Sequence, residues 1–218
     1  MAESTGAQIR ESFFEIRVQF ATPFWGVGKD PELFLQSLHL ALRKWKVGLK
    51  DIYGNKESKT LADHQLSIDV PELASVIRIG LENVTFAAFN PDWSKVEALV
   101  EMFETAMNCI QQTANVALEL QDVLLYMHVV PGGLDFRNEV RRLVNTEALG
   151  DGDMYGVSVY GKDRSLIVDQ SAKFPGGVFV RLNRLFAGAV PIGEIATTIY
   201  EDELKALGLL GIQGLMQE

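Results

Sequence analysis

Two hydrophobic periodicities alternate along this chain. The first is strict alternation. In FFEIRVQF, Phe14, Ile16, Val18 and Phe20 fall on one side and Glu15, Arg17 and Gln19 on the other, the pattern of a half-buried strand. The second is helical. Asp30-Pro31-Glu32 supplies a cap residue, a proline at the first helical position and an acid in the first turn. Phe34, Leu38, Ala41, Leu42 and Trp45 then recur on one helix face. Arg43, Lys44 and Lys46 suit the negative end of that helix dipole, and Gly48 is placed to close the helix. Residues 49–64, LKDIYGNKESKTLADH, are polar and turn-rich and predict a loop. Leu66, Ile68 and Val70 alternate, as do Ile77, Ile79 and Leu81, and residues 84–89 finish a third strand. Asn90-Pro91-Asp92 opens a second helix with the stripe Val96, Leu99, Val100, Phe103, Met107 and Ile110.

The pattern then restarts. Residues 116–130 read as one long strand, with a bend or bulge expected at Gln121-Asp122, and Pro131-Gly132-Gly133 as a turn. Phe136, Val140, Leu143 and Val144 mark a helix led by Asp135. YGVSVYG and RSLIVD flank Lys162-Asp163 as a hairpin, and residues 178–186 form another strand. Pro191 opens a last helix with Ile192, Ile195 and Ile199 inward and a Glu201–Lys205 pair outward. The order is β-α-β-β-β-α, twice.

Residues 83–91, NVTFAAFNP, and 183–191, NRLFAGAVP, share Asn-x-x-Phe-Ala-x-x-x-Pro at an offset of 100, and the same offset matches Pro31 with Pro131, Leu66 with Leu166 and Asp69 with Asp169. The expected fold is therefore α+β: two tandem β-α-β-β-β-α units, 12–112 and 113–208, made by duplication and related by pseudo-two-fold symmetry. Mainly antiparallel sheets with helices on one face are expected, with tails at 1–11 and 209–218. One such unit leaves an open sheet edge and an apolar face, and pairing two units covers both.

In layout the chain resembles a sporadically distributed prokaryotic protein family with no assigned activity. The resemblance rests on FFEIRVQF as the opening strand, VTFAAFNPDWSKVEAL as a strand leading into a Trp-containing helix, and LLYMHVVPGGLDF as a long strand running into a proline turn. It implies an arrangement of elements, and no site residue.

Composition removes some functional classes. Of 218 residues, 47% are hydrophobic and 22% charged, enough for an ordinary core without a metal or disulfide. The formal charge of −9 disfavours phosphate backbones, which need clustered cations. Only the short clusters Arg43, Lys44, Lys46 and Arg137, Arg141, Arg142 occur, so no nucleic-acid partner is expected. Cys109 is the single cysteine, which fits a reducing compartment. MAESTGAQIRESFF lacks the charged and apolar regions of a signal peptide, and no apolar run reaches the roughly 20 residues of a membrane helix. A soluble, cytoplasmic protein with no membrane partner is expected.

Candidate chemistry is sparse. His39 lies beside the first helix's stripe, His64 follows Asp63, and His128 sits at a strand end beside a glycine-rich turn. None has a helically spaced ligand or acid partner, and His128 is the one whose position invites a role. Cys109 reads as a small core hydrophobe. Asp151-Gly-Asp153 opens like a calcium loop, but its twelfth position is Lys162. Asp163 and Asp169 add acids without completing a ligand set. No phosphate-cradling or nucleophile-elbow motif is present. No catalytic residue, metal or cofactor is expected.

The C-terminal LGLLGIQGLMQE places Leu209, Leu210, Ile212, Leu215 and Met216 in a sticky tail, and Trp25 is a candidate for the same interface. The leading expectation is a non-enzymatic binding or interaction protein, using a sheet platform and this tail for self-association or a protein partner. The alternative is a small-molecule-binding protein or enzyme with a pocket between the two units, drawing on His128, Tyr126, Arg17, Arg78 and Arg181.

Overall fold

A computed structural model describes residues 8–25, 31–54, 64–114, 116–130, 132, 135–143 and 156–209. The strands are β1 (Gln8–Phe20), β2 (Ile52–Gly54), β3 (Leu66–Val70), β4 (Ser75–Ile79), β5 (Asn83–Phe89), β6 (Leu118–Val130), β7 (Gly156–Tyr160), β8 (Arg164–Gln170) and β9 (Val178–Ala187). The helices are α1 (Pro31–Leu42), α2 (Val96–Ala114), α3 (Phe136–Leu143) and α4 (Ile192–Leu209). The fold is α+β: a nine-stranded antiparallel sheet in the order β2-β3-β4-β5-β1-β6-β9-β8-β7, with four helices. The chain divides into two compact units. One comprises Met1–Phe13, Leu124–Arg184 and Ile199–Glu218, and the other Phe14–Val123 and Leu185–Thr198.

The second of these units holds the larger apolar core. Antiparallel pairing sets Ile68 against Ile77 and Ile77 against Phe86, which aligns one buried residue per strand on the same face. Phe86 meets Phe103 of α2 with ring centroids 4.8 Å apart. Phe24 packs edge-on against Phe20 and Phe34 at 6.0 and 5.1 Å, and its N–H donates to the Leu81 carbonyl at 2.6 Å. Burying side chains of this size contributes roughly 1.5–3 kcal/mol each. Phe24 is fully buried, while the adjacent Trp25 stays 54% exposed.

Three local expectations change. Gly48 does not close the first helix. The helix tightens into a 3-10 turn over Arg43–Trp45, and Lys46 takes the left-handed conformation at φ 60 while its N–H donates to the Arg43 carbonyl. Gly48 instead donates its N–H to the Asp51 carboxylate at 2.9 Å, starting a second 3-10 turn. The expected 49–64 loop contains a strand, since β2 pairs Ile52 with Ile68 and Tyr53 with Ser67; three residues are too few for alternation to register in the sequence. The second helix starts later than its proline. Asn90 turns the chain at φ 44, the Asp92 carboxylate accepts from the Ser94 N–H and hydroxyl, and a 3-10 turn at Trp93–Lys95 precedes α2.

The bend or bulge expected at Gln121-Asp122 does not interrupt β6, whose burial alternates from Leu120 through both residues to Val130. Gln121 looked like an interruption because it is polar, yet it is 1% exposed. Its amide donates to the Val190 carbonyl and accepts from the Val190 N–H, both at 2.8 Å, so both ends of a buried polar group are bonded.

In the first unit, β7 and β8 form the expected hairpin, closed by the Gly161 N–H donating to the Arg164 carbonyl. Asp135 caps α3 by accepting from the Asn138 N–H at 3.1 Å. Val180 and Leu182 of β9 pair with Val168 and Leu166 of β8. Glu201 and Lys205 form the outward pair. For two pairs the offset of 100 does not mark corresponding strands, since Leu66 and Asp69 lie in β3 and Leu166 and Asp169 in β8, whereas Phe86 and Phe186 lie in β5 and β9, each the last strand of its round. Pro131 is outside the described residues.

Asp202 anchors the last helix. Its carboxylate is 10% exposed, binds Arg184 at 2.5 Å, and has Arg164 at 3.6 Å and Lys205 at 4.0 Å. Asp202→Asn would remove the carboxylate charge that faces Arg184, Arg164 and Lys205. The expected cost is about 1–3 kcal/mol, read as a lower Tm in thermal unfolding; an unchanged Tm would show that this network contributes nothing.

Candidate functional site

The pleat decides which side chains share a face. In the second unit, Phe86 is turned toward α2, so Thr85 and its cross-strand partner Arg78 point the other way. Phe14 meets Trp93 edge-on at 6.5 Å, which sends Glu15 and Arg17 to the same opposite face. In the first unit, Arg184 reaches Asp202 of α4, so Phe179 and Arg181 lie on the face away from that helix. Tyr126 and His128 alternate with buried Leu125, Met127 and Val129. Each of the five residues expected to line a site therefore lies on the sheet face turned from its own unit's packed helix. Arg17 and Arg78 belong to one unit, and Tyr126, His128 and Arg181 to the other.

The first unit carries a continuous aromatic row. Phe13 stacks on Tyr126 at 4.9 Å with 23° between planes. Tyr126 is 5.9 Å from Phe179, Phe179 is 5.0 Å from His128, and His128 meets Phe174 edge-on at 5.5 Å. Phe13 is buried; the other four are half-buried. Arg181 is exposed on the same face.

His128 is tied to a turn. Its Nδ1 lies 2.9 Å from the Ser171 hydroxyl, which accepts the N–H groups of Lys173 at 3.2 Å and Phe174 at 3.0 Å. With both oxygen lone pairs engaged, the hydroxyl has its hydrogen left to donate to Nδ1, which places the imidazole proton on Nε2. A serine held this way is a turn lock and a poor nucleophile. Lys173 reaches back to Glu11 on β1, and that bond holds the Glu11 carboxyl below the usual range. Burial pushes the His128 pKa below its ordinary 6.5; Glu11 opposes this and Lys173 adds to it.

The second unit carries a charged group. Burial raises the Glu15 carboxyl, Arg78 and Arg17 pull it back, and Asp122 pushes it up again. The arginines there offset a half-buried carboxylate. Tyr53 donates its hydroxyl to Asp69 at 3.1 Å, and burial together with that bond raises the phenol pKa.

The same unit contains a cavity of about 340 Å³ lined by Glu104, Met107, Asn108, Gln111, Gln121 and Pro191 among others. Glu104 there accepts the Gly193 N–H at 3.1 Å in the first turn of α4. This cavity is built wholly within one unit.

The remaining candidates separate. His39 is half-buried on α1 and His64 is exposed. Cys109 is half-buried, and burial pushes its thiol up, away from thiolate chemistry. Asp151 and Asp153 are outside the described residues, as are Leu210, Ile212, Leu215 and Met216; Leu209 ends α4. Among the described residues no group of three or more His, Cys, Asp or Glu could hold a metal ion, and no helix is long and apolar enough to cross a membrane. Sequence reading missed Phe174 and Phe179. Phe179 sat inside the apolar run Val178–Val180, where only strand alternation separates outward from inward, and Phe174 sat in an irregular turn.

No family model matches the chain, and no curated protein does. Solved structures that resemble it weakly include the following two. One is a rolling circle replication initiator protein from Geobacillus stearothermophilus, with TM-score 0.42 and 9% identity, covering 95% of this chain and 86% of that one. The other is the regulatory subunit of aspartate kinase from Thermus flavus, with TM-score 0.23 and 11% identity, covering 94% and 97%. Likenesses this distant carry no argument about what the chain does.

The His128 environment makes a pH prediction. Its folded pKa is depressed, so the folded state resists protonation, and this contribution to stability is present above the unfolded value and lost as pH falls through the folded one. Tm is expected to fall between about pH 7.5 and about pH 5.5, and less so in His128→Asn. Equal slopes in the two proteins would remove His128 as the cause.

Proposed function

We propose that this chain is a non-enzymatic binding protein whose working surface is the sheet face carrying the aromatic row, with a protein segment as its ligand. The observation that supports this reading is the row itself. Protein interfaces concentrate aromatic anchors at the centre and charged groups at the rim. Tyr126, Phe179 and Phe174 supply the anchors, and Arg181 with the Lys173–Glu11 pair supplies the rim. The bonding of His128 favours binding over catalysis, because its Nδ1 is committed to a hydroxyl that is itself saturated.

The apolar C-terminal segment, with Leu209, Leu210, Ile212, Leu215 and Met216, adds a second contact for a partner or another copy, and exposed Trp25 a third. A cytoplasmic setting belongs to the same reading and rests on the lone Cys109. So does internal duplication, which the strand order supports: outward from β1 come β5, β4 and β3, and outward from β6 come β9, β8 and β7. A second reading, small-molecule binding, draws on the cavity beside Gln121.

Selection of a random peptide library on the intact protein tests the choice. Selected peptides are expected to be rich in aromatic and aliphatic residues, and Phe179→Asp to weaken them at least about thirtyfold. Peptides that bind this variant as well as the parent would sink the platform. A metabolite that raises Tm in the parent but not in Asn108→Leu would favour the cavity instead.

A further inference from the structure

The strand order leaves two sheet edges, and they differ. β2 is only three residues long, ends in Gly54, and has its Tyr53 tied to Asp69. Short edges of this kind resist pairing with another chain. β7 is five residues long, and among the described residues no strand pairs with its outer side. Its sequence, GVSVY, contains no proline and no charge, two of the devices that usually blunt an edge.

The core stripe also runs out at this edge. Leu182, Leu166 and Val159 are cross-strand neighbours from β9 to β7. Leu182 is 7% exposed, Leu166 is half-buried and Val159 is 57% exposed. The parallel row from Val180 through Val168 to Val157 ends the same way, with Val157 half-buried. Apolar side chains thus continue the core face outward to a strand whose outer row of backbone donors and acceptors has no strand partner among the described residues.

We propose that β7 is a self-association edge, and that its occupant is β7 of a second copy of this chain. The strand is self-complementary. Antiparallel pairing about a two-fold at Ser158 sets Val157 against Val159 of the second copy, and Val159 against its Val157, all on the core face. On the other face Ser158 meets Ser158, and Tyr160 meets Gly156, which presents no side chain of its own. Asp169 already lies over Gly156, where a Cβ would come within 1.6 Å of its carboxylate, so that carboxylate is an acceptor beside the incoming phenol. Charge favours the same site. Each copy carries a formal charge of −9 and repels its twin, and β7 is an uncharged strand on which two copies can approach. Pairing extends the sheet across the two-fold and covers Val157 and Val159. This inference is independent of the aromatic surface proposed above, which lies on β1, β6 and β9 and the turn after β8.

The test uses the full chain. Sedimentation equilibrium is expected to find a reversible dimer whose Kd rises at least about tenfold in Val159→Lys and not in Val159→Ile. A second measurement reads register. In a Cys109→Ser background, mild oxidation is expected to cross-link Ser158→Cys, because a residue facing itself across an antiparallel pair has its Cα within disulfide reach. Tyr160→Cys, which faces Gly156, is expected to stay uncross-linked. The cross-link reports on the edge even if Val159→Lys perturbs the hairpin. A chain that is monomeric at every concentration, or a dimer that survives Val159→Lys and does not cross-link through Ser158→Cys, overturns the proposal.

Discussion

Strand alternation is the constraint on which this protein depends. Ile16 and Val18 on β1, and Val123, Leu125, Met127 and Val129 on β6, are at most 1% exposed, while the residues between them are not buried in this way. A slip of one residue would move each of these side chains to the wrong face, at roughly 1.5–3 kcal/mol for each one uncovered. The helices follow from this commitment, because α2 must cover Phe86 and α4 must bring Asp202 to Arg184. The opposite face follows as well, since residues excluded from the core are the ones left to meet something else.

On that opposite face the polar groups are bound locally. Ser171 accepts two backbone N–H groups and faces His128, Lys173 pairs with Glu11, and Tyr53 donates to Asp69. The bonds around Ser171 and Lys173 hold His128 and Phe174 in place. A binding surface gains from such pre-organisation, since less side-chain freedom is lost when a partner arrives. The edge at β7 differs in kind, because there it is the backbone that has no strand partner among the described residues.

Particular residues explain where sequence reading succeeded and where it stopped. The alternation of Phe14 to Phe20 and the Asp135 cap were legible because strand period and capping are local. The Gly48 expectation missed because a 3-10 turn closed the helix two residues earlier, with Lys46 accepting a left-handed conformation. Gln121 looked like a break because its hydrogen-bond partner, Val190, lies 69 residues away. Phe24 and Trp25 are adjacent, and nothing local decides which of the two enters the core. The offset of 100 aligned Leu66 with Leu166 although they lie in β3 and β8, since loops of unequal length break any constant offset.

What the sequence determined by itself is the alternation of elements, two rounds of β-α-β-β-β-α apart from the three-residue β2, together with the faces of β1, β3 and β4. These depend on periods of two and 3.6 residues and on caps within a few positions. Tertiary structure decided the strand order, the exposure of Trp25, the turn that engages His128, the aromatic row and the open edge at β7. Each of these is a pairing between distant segments, and a pairing has no signature in either segment alone.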